Sequence, residues 1–433
     1  MDRPALPEFT RAFARIAALS FGGPAGQIAV MHRILVDEKK WVDEPQFLHA
    51  LNFCMLLPGP EAQQLSVYIG WMLHRTRGGL IAGSLFILPG LLAIMALSWL
   101  YVLAGQVTAI AGLFFGLKAA VVAIVFQAVG RIGRRALKGA GRVAIAAAAF
   151  AALLLLRVPF PLVVLAAGAA GWLTARGGPV PAVQQGQGAR AGRVSWRLVA
   201  ALAVAWLLPV ALVAIYAPAE SAFGPIATFF SRMAILSFGG AYAVLAWVGQ
   251  AAVDHYHWLA PREMLDGLGL AESTPGPLIM VTQYVGFLAA YRHPGALPPL
   301  LAGTLGGLLT SWVTFVPCFL WVFLGAPYVE RLRGHRALAA ALAAVSAAVV
   351  GVILDLAVWF ALHYWFGTVS EQRIGWLHLP RPDFASLDWA AFLLSAAAMA
   401  ALRLRISIPA LLGAAAAAGL VYRLFISSHF GLF

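Results

Sequence analysis

Two short motifs, each occurring twice, hold the residues of this chain best suited to binding an ion. Ser20-Phe21-Gly22-Gly23-Pro24, with Gln27 beyond it, returns as Ser237-Phe238-Gly239-Gly240-Ala241. Pro58-Gly59-Pro60, followed by Glu61 and Gln63, returns as Pro275-Gly276-Pro277, with Glu272, Ser273 and Thr274 before it and Gln283 after it. All four lie inside apolar runs. Proline removes a backbone donor and clashes with the preceding turn, and glycine tolerates the dihedrals that result, so each motif predicts a broken helix. The second half of a broken helix starts with free N–H groups and a partial positive charge, which attract anions. Backbone left unpaired at membrane depth is tolerated only against protein or a watery cavity. Read singly, each motif is equally a packing notch or kink, because glycine and proline are frequent in membrane helices. Four of them, paired and flanked by polar side chains, favour a substrate site near the midplane.

A few charges also fall within apolar runs. Lys118 sits in "AGLFFGLKAAVVAIVF", where a cation costs about 2.5–3.5 kcal/mol on insertion scales and must face a partner or a cavity. Two roles stay open for it, a fixed anion-binding charge and a structural ion pair. Asp355 either pairs with another helix or titrates during coupling, and Glu61 and Glu272, beside the Pro-Gly-Pro breaks, are candidates for proton coupling. Arg15 and Arg232 occupy matching positions near span starts, where snorkelling to the headgroups is the expected role. Motifs for other chemistry are missing: no lysine follows a glycine as a Walker A motif requires, and there is no HExxH or GxSxG. His255 and His257 read as loop residues. Cys54 and Cys318 are apart in apolar segments and suggest neither a disulfide framework nor a metal site. Neither enzyme chemistry nor a cofactor is expected.

The elements that carry these residues are apolar. Of 433 residues 62% are hydrophobic and 11% charged, with a mean hydropathy of +0.85; soluble domains carry about a quarter charged residues. The chain therefore reads as an all-α polytopic membrane protein. The net charge of +13 sits in short clusters between apolar runs, which argues for cytoplasmic loops rather than nucleic acid. The N-terminus leads directly into a long amphipathic run, with no removable signal peptide expected.

Apolar length places spans at roughly 9–34, 46–74, 79–104, 106–130, 142–156 and 158–175, a lone span near 198–217, then 223–253, 263–290, 297–325, 337–365, 387–402 and 407–426. That gives about thirteen transmembrane helices, with a Gly/Gln-rich linker carrying Arg176, Arg190, Arg193 and Arg197 before the seventh. Placing Arg75/Arg77, the 131–142 cluster, the linker arginines, Arg262, the 331–336 cluster and Arg403/Arg405 inside puts "DEKKWVDE" outside, with the N-terminus in and the C-terminus out. Eight of eleven residues match between 13–23 and 230–240, and the same offset of 217 pairs the two Pro-Gly-Pro motifs. Later the offset becomes 228, pairing Pro89 with Pro317, Lys118 with Ser346 and Gln127 with Asp355. Such an ordered series marks an internal repeat. With a seventh span between them, the halves (1–177 and 218–433, joined by 178–217) would be inverted six-helix repeats, as in many secondary transporters; a re-entrant hairpin at 46–74 or at its copy would change that parity.

"SFGGPAGQIAVMH", "KKWVDEPQFLHAL", "LPGPEAQQLSVYIGW", "GLKAAVVAIV" and, in the second half, "SFGGAYAVL" to "STPGPLIMVTQYVGF" resemble the chromate ion transporter family. The likeness covers most of the chain. It implies a multi-pass protein of the bacterial cytoplasmic (inner) membrane that exports chromate, exchanges it against protons and confers chromate resistance. The family's motifs map onto Gly22, Gly23, Pro24 and Gln27, and onto Pro58, Gly59, Pro60 and Gln63. Ala241 and Met280 depart from them in the second copy, so the halves are not expected to hold the anion identically. Sulfate, a near-isosteric dianion, stays open as the substrate, and a homodimer is compatible with this reading. The expected substrate residues are thus Ser20, Gly22, Gly23, Pro24, Gln27, Pro58, Gly59, Pro60, Gln63, Lys118, Ser237, Gly239, Gly240, Ser273, Thr274, Pro275, Gly276 and Gln283.

Overall fold

A computed structural model describes residues 4–105, 107–175, 194–238, 240–328 and 336–426. Nearly all of them are helical, as their apolar composition requires. Five described helices are long and apolar enough to cross a membrane, and five shorter ones are apolar, which makes the chain a multi-pass membrane protein. The residues fall into two units, one of residues 1–98, 175–244 and 274–339 and one of residues 99–174, 245–273 and 340–433.

The first unit begins with α1 (Leu6–Leu19), α2 (Gly23–His32, extended by a π turn Arg33–Glu38), α3 (Glu44–Cys54) and α4 (Glu61–Ala104). Here the structure corrects the expected topology. Residues 9–34 do not cross as one helix broken midway; they double back. Lys39 Nζ meets Glu8 Oε1 at 2.8 Å and Arg15 Nη1 meets Glu38 Oε2 at 2.6 Å, so α1 and α2 lie antiparallel with both outer ends together. Arg15, expected to snorkel, stays about half exposed while pairing with Glu38 across the hairpin.

Residues 46–74 double back in the same way. The ring of Phe9, near the start of α1, lies 6.4 Å from Trp41 and 4.8 Å from His74. The segment thus begins and ends at the same level. α3 starts there because Asp43 caps it, accepting the Gln46 N–H at 2.8 Å. The chain then reverses inside α4, where Arg75 takes a left-handed φ of 51°. The arms 61–73 and 76–98 pack antiparallel through glycine: a methyl on Gly70 would stand 2.5 Å from the Gly78 carbonyl oxygen, and Ser66 Oγ donates to Ala82 O at 3.0 Å. Hydropathy sees only that these segments are apolar, so a hairpin that enters and returns reads as a span. "DEKKWVDE" and Arg75/Arg77 consequently share one end, against the expected placement on opposite faces.

The same unit holds α8 (Trp196–Tyr216), α9 (Phe223–Leu236), the start of α10 (Ala241–Gln250), α12 (Val281–Arg292) and α13 (Pro299–Gly325). α12 and α13 form a second tight antiparallel pair, in which a methyl on Gly306 would stand 2.6 Å from Gly286 O. Small residues let membrane helices approach this closely. The Ala222 N–H donates to His293 O at 3.1 Å, so the start of α9 and the end of α12 meet.

The second unit holds α5 (Thr108–Ala136), α6 (Ala140–Leu154), α7 (Phe160–Thr174), α11 (Pro261–Ser273), most of α14 (Arg336–Trp365), α15 (Trp389–Arg403) and α16 (Ile408–Val421). Its core is α5 against α15 and α16, with Ala120, Ala123, Ile124, Ala398, Leu402, Leu411, Leu412 and Ala415 buried together. One departure from an all-α chain lies here. Strands β1 (Val369–Ile374) and β2 (Leu377–Pro382) pair antiparallel, with Gly375 at φ 63° in the turn. This polar segment lies outside every apolar run, and the sequence reading assigned it no element.

The two hairpins predict that Lys40→Cys and Arg77→Cys, in a chain lacking Cys54 and Cys318, react with an impermeant maleimide from one and the same side of the membrane. Labelling from opposite sides would restore 46–74 as a crossing helix.

Candidate functional site

Within the first unit the four chain breaks meet in two pairs, Ser20 with Gly276 and Ser237 with Gly59. α1 ends at Ser20, whose hydroxyl turns back to donate to Ile16 O at 2.6 Å, and the chain leaves the helix at φ −83°, ψ 78°. Gly22 and Gly23 then take φ of 79° and 74°. For L side chains this left-handed region costs roughly 1–2 kcal/mol per residue, so the glycine pair is what allows the reversal. Pro24 follows in the first turn of α2, where a missing N–H costs nothing. Ser237 ends α9 in a similar conformation, φ −79° and ψ 60°, and Gly240 at φ 93° precedes α10. Gly239 lies outside the described residues.

Each of these ends is closed by the opposite copy's Pro-Gly-Pro. The Gly276 N–H donates to Ser20 O at 2.9 Å, and the Gly59 N–H donates to Ser237 O at 3.0 Å. Both pairs join a first-copy residue to a second-copy residue, and they are exchanged. The surroundings follow the same rule. A methyl on Gly276 (φ 107°) would stand 3.0 Å from Gly90 Cα, and one on Gly59 (φ 123°) 2.9 Å from Cys318 Sγ. Gly90 and Cys318 are themselves matched positions at the offset of 228.

The side chains break this symmetry. Gln27 Nε2 donates to Gly276 O at 2.6 Å, whereas Val244 stands in the matching position. Gln64 Nε2 donates to Pro58 O at 2.6 Å; Val281 replaces it in the second copy. Gln63 is fully buried, and neither its Oε1 nor its Nε2 has a protein partner. Its counterpart Met280 is apolar and packs toward Gly90. Leaving a buried amide unpaired costs about 1–3 kcal/mol per group, which a merely structural residue has no reason to carry. Gln283 Nε2 donates to Leu91 O at 2.9 Å while its Oε1 stays unpaired. Glu61 heads α4, with Oε1 3.4 Å from the position of a methyl on Gly240. Pro60, Pro275 and Pro277 complete the loops, and Thr274 is buried beside them.

The remaining expected residues belong to the second unit. Lys118 Nζ pairs with Asp266 Oδ1 at 2.8 Å, and the Tyr101 hydroxyl donates to Asp266 Oδ2 at 3.1 Å. Glu272 is buried near the end of α11, Ser273 bonds its own helix at Leu270 O (2.9 Å), and Asp355 is half-buried along α14.

Three residues beside these sites are not among those the sequence assigns to them. Asp266 is a carboxylate within an expected span and meets the criterion that singled out Lys118 and Asp355. Gln64 directly follows Gln63, and Cys318 is the repeat partner of Gly90. Arg262 was assigned to an inside loop, but it lines the same cavity as Lys118 and Asp266.

A family model described as chromate transporter matches residues 7–172 and 224–420. A chromate transport protein of Pseudomonas aeruginosa is 33% identical over 363 residues, covering 81% of each chain. One of Cupriavidus metallidurans is 29% identical over 343 residues, 79% of each chain. A probable chromate transport protein of Synechococcus elongatus is 27% identical over 348 residues, 80% of this chain and 82% of its own. No solved structure matches.

Alanine at the two Pro-Gly-Pro glycines separates their surroundings. Both substitutions strain a positive φ, but at Gly276 the added methyl meets Gly90 backbone, while at Gly59 it meets the ends of the Gln64 and Cys318 side chains. Gly276→Ala should therefore lower the melting temperature in detergent more than Gly59→Ala. The reverse order would contradict the geometry.

Proposed function

The chain belongs to the chromate transporter family, and from that premise we propose that it is a secondary transporter exporting chromate across the bacterial inner membrane. Export is coupled to the proton gradient and confers chromate resistance. The observation that carries the site is Gln63: a fully buried amide with both polar atoms unpartnered, in the first turn of α4. An oxyanion placed there receives the Gln63 Nε2–H and the first-turn N–H groups of α4, which have no intrahelical partners. Water-excluded dipoles fixed in this way hold a dianion without a fixed cation. Gln27 and Gln64 keep the loops in place by bonding the carbonyls of Gly276 and Pro58. Glu61, at the same helix start, is the coupling carboxylate.

The alternation of access follows from the repeat. We read residues 1–177 and 218–433 as inverted copies joined by 178–217, each contributing two hairpins and four crossings. Two hairpins return the chain to the side it started from, so four crossings and α8 still turn the second copy over. The exchanged bonds of Ser20 with Gly276 and Ser237 with Gly59 support that reading, because a two-fold relation requires such reciprocity. Rocking of one copy against the other would open the crossing to one face and then the other.

Amide and backbone donors recognise charge and tetrahedral shape, which chromate and sulfate share, so the test carries both anions. Expression in a chromate-sensitive bacterium should lower cellular chromate and leave sulfate uptake unchanged. Unchanged chromate at equal expression, with altered sulfate uptake, would reject chromate in favour of a sulfate carrier. In inverted vesicles, Gln63→Leu should cut chromate flux at least about tenfold, the factor that 1.4 kcal/mol represents. Glu61→Gln should retain flux and lose its dependence on the pH gradient. Wild-type flux and pH dependence in both variants would remove these residues from the mechanism.

A further inference from the structure

The second unit holds a cavity of its own, of about 150 Å³. We propose that it is a second oxyanion site, at which the incoming dianion and the Asp266 carboxylate compete for Lys118. This deepens the proposed function and rests on it, because it assumes that the chain handles oxyanions.

Three cations reach the cavity wall, Lys118 from α5, Arg262 from α11 and Arg423 from the turn after α16. Two carboxylates face them, Asp266 from α11 and Asp388 before α15. The sum is one positive charge, in a space well above the roughly 10–15 Å³ that a single water needs. Tyr101 and Tyr364 line it too, each engaged: Tyr101 with Asp266 at 3.1 Å, Tyr364 donating to Phe115 O at 2.7 Å. The Arg423 guanidinium lies over the Phe115 ring at 5.4 Å, held at the wall rather than released to solvent.

A purely structural ion pair is packed in on all sides by side chains, whereas Lys118 and Asp266, though largely buried, both line the cavity. Nor does the repeat need the pair for its fold, since the matched positions hold Ser346 and His49. Asp266 occupies Lys118 as an internal anion, and an external one with more charge and more acceptor oxygens displaces it. The cost of displacement sets a threshold: the site fills only when the anion is abundant or Asp266 loses its charge.

Equilibrium dialysis of the purified full chain at pH 8 against radiolabelled chromate and, separately, sulfate tests this. Asp266→Asn keeps an oxygen for Tyr101 and removes the competing charge, so one anion per chain should bind at least about tenfold tighter than in wild type. Adding Lys118→Met should abolish that gain. Equal affinity in Asp266→Asn, or a gain that survives without Lys118, overturns the proposal. Should Asp266→Asn fold poorly, Lys118→Met/Asp266→Leu replaces both charges with apolar groups, an exchange that buried ion pairs often tolerate. This double variant should bind one anion fewer per chain at saturation, and an unchanged stoichiometry overturns the site. A Lys118-dependent gain for sulfate alone would leave the site standing and reject chromate as the substrate.

Discussion

A backbone carbonyl or N–H group inside a bilayer must find a partner within the protein, and that constraint organises the first unit. Breaking α1 at Ser20 and α9 at Ser237 exposes carbonyls that no helix satisfies. Each is met by the N–H of a glycine in the other copy's Pro-Gly-Pro turn, at 2.9 and 3.0 Å. Neither copy can close its own break. The positive φ at Gly59 and Gly276 aims those N–H groups, and the close approach of Gly276 to Gly90 leaves no room for a side chain. The breaks are thus paired defects, stable only because the chain carries the module twice.

The repeat, the helix ends and the position of every break were legible in the sequence, because proline, glycine and apolar length act locally. What the breaks do to chain direction was not. A kinked span and a returning hairpin have the same composition, and the ion pairs Glu8–Lys39 and Arg15–Glu38 that distinguish them join residues 31 and 23 apart. The positive-inside reading of 37–44 failed for that reason. Lys118 illustrates the same limit: its cost in an apolar span was evident, but its partner Asp266 is 148 positions away in sequence.

The symmetry is one of backbone, and the departures from it are concentrated in side chains. Gln27, Gln63 and Gln64 belong to the first copy; Val244, Met280 and Val281 replace them in the second. Two copies of one scaffold therefore present a polar wall and an apolar wall. A carrier benefits from that division, since the backbone must remain nearly two-fold for both access states to be of similar energy while the anion needs donors at one place only. The second unit departs further, placing a buried charge pair where the repeat has serine and histidine.

Chromium itself offers the most direct test of the central claim that the crossing of the four breaks holds the anion. Crystals of the full chain grown with chromate, measured on both sides of the chromium absorption edge, give an anomalous difference map that locates the metal of the oxyanion independently of any built atom. The account predicts a peak within hydrogen-bonding range of the Gln63 amide, beside the start of α4. Chromium bound elsewhere in the chain, with none at Gln63, would contradict it.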